Sequence, residues 1–133
     1  FDRLAKDNPQ YEFIIPLHPN PNVQKHKNLL THVKVVEPMQ YDQFIRLLAE
    51  ARLVITDSGG LQEESSFFNK KCIVCRETTE RVEGMGTFAF MSSPDKVESD
   101  FYAMIDDHIP DDECPYGDGK SAERITNILL EEL

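Results

Sequence analysis

Asp57-Ser58-Gly59-Gly60-Leu61-Gln62-Glu63-Glu64 stands directly behind the apolar run Leu53-Val54-Ile55-Thr56 and ahead of a stretch with helical character. A strand that ends in a small-residue turn and opens a helix is a means by which α/β proteins hold a phosphate. The two glycines allow the backbone to approach a ligand. The first helical turn supplies unpaired N–H groups and positive partial charge, and Ser58 adds a hydroxyl donor. The same residues could do no more than cap a helix, with Glu63 and Glu64 complementing its dipole, a reading favoured for Glu63 and not for Glu64. Cys72-Ile73-Val74-Cys75 has the spacing of a redox or metal pair. It lies in a strand-like run, however, where residues three apart point to opposite faces, so these thiols read as buried and inert. His26, His32 and His108 have no partner at metal-ligand spacing and read as surface or core residues, and no metal is expected.

The elements that must position the turn alternate between short apolar runs and helical patterns. Residues 13–17, 33–36, 53–56, 72–75 and 87–91 read as strands. Helical spacing places Tyr41, Phe44, Ile45 and Leu48 on one face of a helix over 41–51, and a second helix follows the turn over about 61–68. Ser93-Pro94 resembles an N-cap followed by proline at the first helical position, opening a helix with Val97, Phe101, Met104 and Ile105 inward. After the acidic loop 111–119, with Asp118 a candidate N-cap, residues 121–133 predict an amphipathic helix with Ile125, Ile128, Leu129 and Leu133 inward. Continuously apolar strands separated by helices belong in a parallel sheet covered on both faces. The expected fold is therefore α/β, a Rossmann-like doubly wound sheet. Ligands of such sheets bind beyond the carboxyl ends of the strands, where the loops at 18–22, 37–40 and 57–60 fall.

The chain has 133 residues, one domain's worth, and a net charge of -10. That charge argues against nucleic acid or an anionic membrane as partner, since either demands a basic face. No apolar run approaches the roughly 18 residues of a membrane span and no signal-peptide pattern opens the chain, so a cytoplasmic protein is expected. Three cysteines are too few for a disulfide scaffold. The opening Phe1-Asp2-Arg3-Leu4-Ala5-Lys6 reads as the end of a helix with no strand before it. The expectation is of an N-terminally truncated domain, its first strand supplied by a preceding segment.

HPNPNV at 18–23, TDSGGLQEE at 56–64, RETTERVEG at 76–84 and PYGDGKSAERI at 115–125 occur in one order and spacing. In this the chain resembles the non-hydrolysing UDP-N-acetylglucosamine 2-epimerases, over most of its length from His18 to Ile125. The resemblance implies the C-terminal half of a GT-B-like two-domain fold, with residues 1–133 an incomplete UDP-binding domain. It places the uracil against residues 37–44, with Phe44 as an apolar wall and Met39 at a base-contact position. Phe44 also fits a core role on its helical face. Met39 departs from members with a polar residue there, leaving its backbone to make the hydrogen bonds. The diphosphate falls to Ser58, Gly59 and Gly60, and the ribose diol to Glu64, whose carboxylate can accept from two hydroxyls. Arg81 resembles an arginine at the sugar and phosphate end of the cleft, with surface pairing to Glu77 or Glu83 as its alternative. His18 matches a cleft histidine that in some bacterial members helps hold a second, activating nucleotide sugar; it could equally be a loop residue. Val82 and Ser65-Ser66 depart from the commoner proline and Ala-Pro without removing a ligand group.

The family's chemistry inverts C2 of the sugar by eliminating and re-adding UDP. It needs acid/base groups near C2 and stabilisation of the departing UDP. The resemblance assigns only the second task to these motifs, so no catalytic residue and no cofactor are expected here. The acid/base carboxylates, and a histidine in a Gly-His-Arg-Arg-Glu segment, are implied to lie upstream. Implied partners are UDP-N-acetylglucosamine or UDP, the preceding domain, and a second copy in a homodimer. A GT-B glycosyltransferase donor domain and a non-catalytic nucleotide-sugar sensor are the alternatives.

Overall fold

The computed structural model describes residues 1–108 and 110–131. Two compact units divide the chain, Phe1–Arg46 and Leu47–Leu133.

The first unit runs α1 (Asp2–Asp7), β1 (Ile14–Pro16), α2 (Pro21–Gln24), a 3₁₀ turn (Lys27–Leu29), β2 (Lys34–Val36) and the start of α3 (Tyr41–Glu50). β1 and β2 are parallel, in the register Ile14 to Lys34, Ile15 to Val35 and Pro16 to Val36. Leu4, Ala5, Leu17 and Val33 are buried beside them. Asn8 is also buried, its Nδ2 donating to the Leu4 carbonyl at 2.9 Å, which satisfies an otherwise orphaned helix-end acceptor. Asp2 ties α1 to the segment entering β2. Its carboxylate accepts from the backbone N–H of Thr31 at 2.5 Å and of His32 at 2.6 Å, and from Thr31 Oγ1 at 3.0 Å.

The second unit carries β3 (Leu53–Thr56), α4 (Gly59–Phe67), β4 (Lys71–Val74), β5 (Ala89–Met91), α5 (Val97–Met104) and α6 (Ser121–Glu131). Its sheet has the order β3-β4-β5, parallel throughout. β4 is paired on both sides, and accordingly Cys72, Ile73 and Val74 are fully buried, with Phe88, Ala89, Phe101 and Ile105 also in the core. Burial pushes the Cys72 thiol up to about 12, and also raises Cys75. Among the described residues no His/Cys/Asp/Glu cluster suited to a metal is present, and no helix is long and apolar enough to cross a membrane.

Four expectations need correction. Helix α5 begins at Val97 and not at Pro94: residues 94–96 form a turn, with Lys96 and Val97 N–H both donating to the Ser93 carbonyl at 2.9 Å. The Pro-Asn loop at 18–24 contains a short helix whose N-cap is Asn20, its Oδ1 accepting from Asn22 N–H at 2.9 Å. Tyr41 is 66% exposed rather than inward. Helix α6 presents Ile125, Ile128 and Leu129 to solvent, at 57%, 59% and 60% exposure. Its apolar stripe is real, but helical periodicity records the stripe and not what covers it. Leu133 lies outside the described residues.

Candidate functional site

The junction between β3 and α4 is tighter than its sequence suggests, because the helix begins at Gly59 and not near Leu61. β3 ends at Thr56, whose Oγ1 accepts from Ser58 N–H at 3.0 Å and so fixes the bend out of the strand. Ser58 is the N-cap of α4 in extended conformation, yet its side chain makes no capping hydrogen bond. The serine that would ordinarily spend its oxygen on the helix does not do so here. Gly59 and Gly60 are the first two helical residues. One turn on from each lies a carboxylate, Glu63 after Gly59 and Glu64 after Gly60, since residues four apart share a helix face.

Arg81 is brought to this turn by the irregular segment joining β4 to β5. Its Nε donates to Glu63 Oε1 at 2.7 Å, and its Nη1 bonds Glu80 Oε1. A Cβ placed on Gly59 would lie 3.4 Å from Arg81 Cζ and 2.9 Å from Glu80 Oε1, so this pair sits directly against the first residue of the helix. The Glu63 bond, with the charges of Glu80 and Glu63, holds the Arg81 guanidinium above its ordinary range. Glu80 is held below the usual carboxylate range by its own backbone N–H and by Arg76 and Arg81. Arg81 thus pairs with Glu63 and Glu80, not with Glu77 or Glu83, and Glu63 does more than complement a dipole.

Three residues that sequence reasoning passed over hold Arg81 in place. Thr79 Oγ1 accepts from Arg81 N–H at 3.1 Å and donates to Gln62 Oε1 at 3.0 Å, linking the segment to a fully buried side chain of α4. Tyr116 Oη donates to the Arg81 carbonyl at 3.2 Å and accepts from Gly84 N–H at 3.2 Å. A Cβ on Gly84 would come within 3.1 Å of that oxygen. PYGDG is therefore a brace for the arginine segment as well as a turn. Asp118 acts from outside helix α6, accepting from Lys120 N–H at 3.1 Å and pairing with both terminal nitrogens of Arg124 at 2.8 Å. It is not the residue adjoining the helix that an N-cap would be.

The remaining predicted residues belong to the first unit. Met39 and Phe44 are half-buried, Phe44 N–H closing the first turn of α3 onto the Gln40 carbonyl at 3.0 Å. His18 is exposed and engaged locally: Nδ1 accepts from Asn20 N–H at 3.1 Å, and its carbonyl accepts from Gln24 Nε2 at 3.0 Å. An open groove of about 570 Å³ in this unit, lined by residues including Lys6, Tyr11, Glu12 and Lys34, contains none of the predicted ligand residues.

Parallel strands, a strand-to-helix junction carrying two glycines and an arginine braced beside it define a Rossmann-like α/β fold. Known proteins of this kind give the family. Residues 1–130 match the family described as UDP-N-acetylglucosamine 2-epimerase, and the chain belongs to that family. It is 35% identical over 139 residues to the UDP-N-acetylglucosamine 2-epimerase of Campylobacter jejuni, covering 96% of this chain and 36% of that protein. The crystal structure of the Neisseria meningitidis enzyme bound to UDP-GlcNAc superposes with a TM-score of 0.83 at 33% identity, over 97% of this chain and 38% of the other. That of the Methanocaldococcus jannaschii enzyme in complex with UDP-GlcNAc and UDP gives 0.81 at 29% identity, over 96% and 38%. The chain thus spans little more than a third of the length of these relatives.

Proposed function

We propose that this chain is the UDP-binding portion of a UDP-N-acetylglucosamine 2-epimerase that interconverts UDP-GlcNAc and UDP-ManNAc by eliminating and re-adding UDP. The observation that carries the reading is the uncapped turn: Ser58 at the N-cap with its hydroxyl unspent on the helix, Gly59 and Gly60 behind it, and Arg81 alongside. The first-turn N–H groups, the Ser58 hydroxyl and the Arg81 guanidinium receive the diphosphate, where negative charge grows as the C1–O bond breaks. Glu64, one turn further along the Gly60 face, accepts from the ribose hydroxyls. Phe44 and the Met39 backbone serve the uracil, and His18 a second nucleotide sugar or the cleft margin. The acid/base groups for the C2 proton belong to the rest of a longer, cytoplasmic, homodimeric protein. The isolated chain binds UDP weakly at most and does not epimerise.

Titration of UDP against the intact protein tests the assignment. Ser58→Ala and Glu64→Gln each remove a hydrogen bond to a charged group, about 1.5–3 kcal/mol, and so weaken binding about ten- to a hundredfold. Wild-type affinity in both variants would remove the assignment. Sugar transfer to an acceptor in place of epimerisation would move the protein to the glycosyltransferases.

A further inference from the structure

The anion seat at the start of α4 already has an anion beside it. Glu80 Oε1 bonds Arg81 Nη1 and would lie 2.9 Å from a Cβ on Gly59, the first residue of the helix. The two acids that hold Arg81 are built differently. Glu63 projects from α4 itself and engages Nε, the inner edge of the guanidinium. Glu80 comes from the irregular segment, is 55% exposed, and engages a terminal nitrogen. Its other oxygen, Oε2, lies 3.4 Å from Arg76 Nη1, so a second cation is within reach.

We propose that Glu80 is a resident anion which an incoming diphosphate displaces, and that Glu63 is the positioning residue that keeps Arg81 aimed while the exchange takes place; the inference deepens, and rests on, the UDP-binding reading. Without ligand, Arg76 pairs with Glu80 and Arg81 with both Glu63 and Glu80, so each of these two cations has an acidic partner. On binding, a phosphate oxygen takes over Arg81 Nη1, Glu80 swings onto Arg76, and the Glu63 to Nε bond is kept. On release, Glu80 returns and replaces the hydrogen bond that the departing diphosphate gives up. The device weakens the resting affinity for UDP and speeds its departure. The adjacency of Glu80 and Arg81 in the Thr-Thr-Glu-Arg segment is what makes it work, since a carboxylate one residue away reaches the guanidinium without any backbone movement.

The test is calorimetric titration of wild type, Glu80→Gln and Glu63→Gln in the intact protein with UDP, inorganic diphosphate and uridine. Losing Glu80 removes the competing pair, so UDP and inorganic diphosphate should bind about two- to fivefold more tightly at low salt. The gain should shrink as salt rises. Losing Glu63 should weaken both phosphate ligands. Uridine, lacking the diphosphate, should bind all three proteins alike, which a merely structural effect on the fold would not produce. Unchanged or weaker UDP binding by Glu80→Gln overturns the displacement. Tighter binding by Glu63→Gln overturns the positioning role, because the two acids would then act as one pool of negative charge. If neither wild type nor Glu80→Gln binds UDP, the nucleotide reading itself fails and this inference falls with it; binding by Glu80→Gln alone supports the inference.

Discussion

Replacing Gly59 by alanine should separate the stability of the fold from the function of the site. Gly59 is the first residue of α4 and does not have the positive φ that would exclude a side chain. The new Cβ meets only side chains: Glu80 Oε1 at 2.9 Å and Arg81 Cζ and Nε at 3.4 Å. The carboxylate belongs to an exposed, flexible glutamate that can give a few tenths of an ångström at small cost, and the arginine contact needs at most a small shift. Against this stands the loss of unfolded-state freedom when glycine becomes alanine, which stabilises by about 0.4–1 kcal/mol where the backbone is compatible. The melting temperature should therefore stay level or rise slightly. Binding should behave oppositely, since a methyl group at the first helical residue keeps phosphate oxygens from the N–H groups. Loss of one charge-assisted bond costs about 1.5–3 kcal/mol. UDP affinity should thus fall about ten- to a hundredfold. Thermal melts and UDP titrations on the same preparations decide the matter. A destabilised Gly59→Ala protein would show that the contacts around Glu80 are rigid, and undiminished UDP binding would show that the ligand does not use this turn.

Tyr116→Phe removes the hydroxyl that bridges the Arg81 carbonyl and Gly84 N–H. The variant should lose about 1–2 kcal/mol in denaturant unfolding and bind UDP more weakly, with wild-type behaviour in both arguing against the brace. Asp2→Asn should destabilise the first unit in a pH-dependent way. His32 N–H and the His32 ring, followed by Thr31, hold the Asp2 carboxyl well below the usual carboxylate range, against the opposing effect of burial. A carboxyl with a depressed folded pKa contributes stability above its unfolded pKa of about 4 and loses it as pH falls toward the folded value. The difference in unfolding free energy between wild type and Asp2→Asn should accordingly be full at neutral pH and narrow below about pH 4. A difference independent of pH would exclude the charge as its cause.

Much of the fold was legible because strand and helix leave different periodicities. Leu53–Thr56 appears as predicted, and Lys71–Val74 is shifted by one residue. The start of α5 differs from the sequence reading because Ser93-Pro94 satisfies the rules for an N-cap while residues 94–96 form a turn ahead of Val97, a boundary that residue type does not record. The helix at Pro21–Gln24 was hidden because Pro, Asn and His are loop residues by composition, although Asn20 and Pro21 are a proper N-cap and first position. The strand-to-helix junction at Thr56–Gly59 was legible because it is local, carried by adjacent residues. Its surroundings were not, because Glu63, the Thr79-Glu80-Arg81 run and Tyr116 lie in three separate stretches of the sequence and meet through side-chain reach.

The sequence by itself determined the parallel α/β character, the turn at 57–60 and, through motifs in fixed order, the epimerase family. Those features depend on short-range spacing and on residue types that few backbones tolerate. Only the tertiary structure decided which acids hold Arg81, that Tyr116 braces its backbone, and that the apolar stripe of α6 faces solvent. Each is a question of which distant surfaces meet. A one-dimensional pattern states what a side chain offers, and the folded chain determines what accepts it.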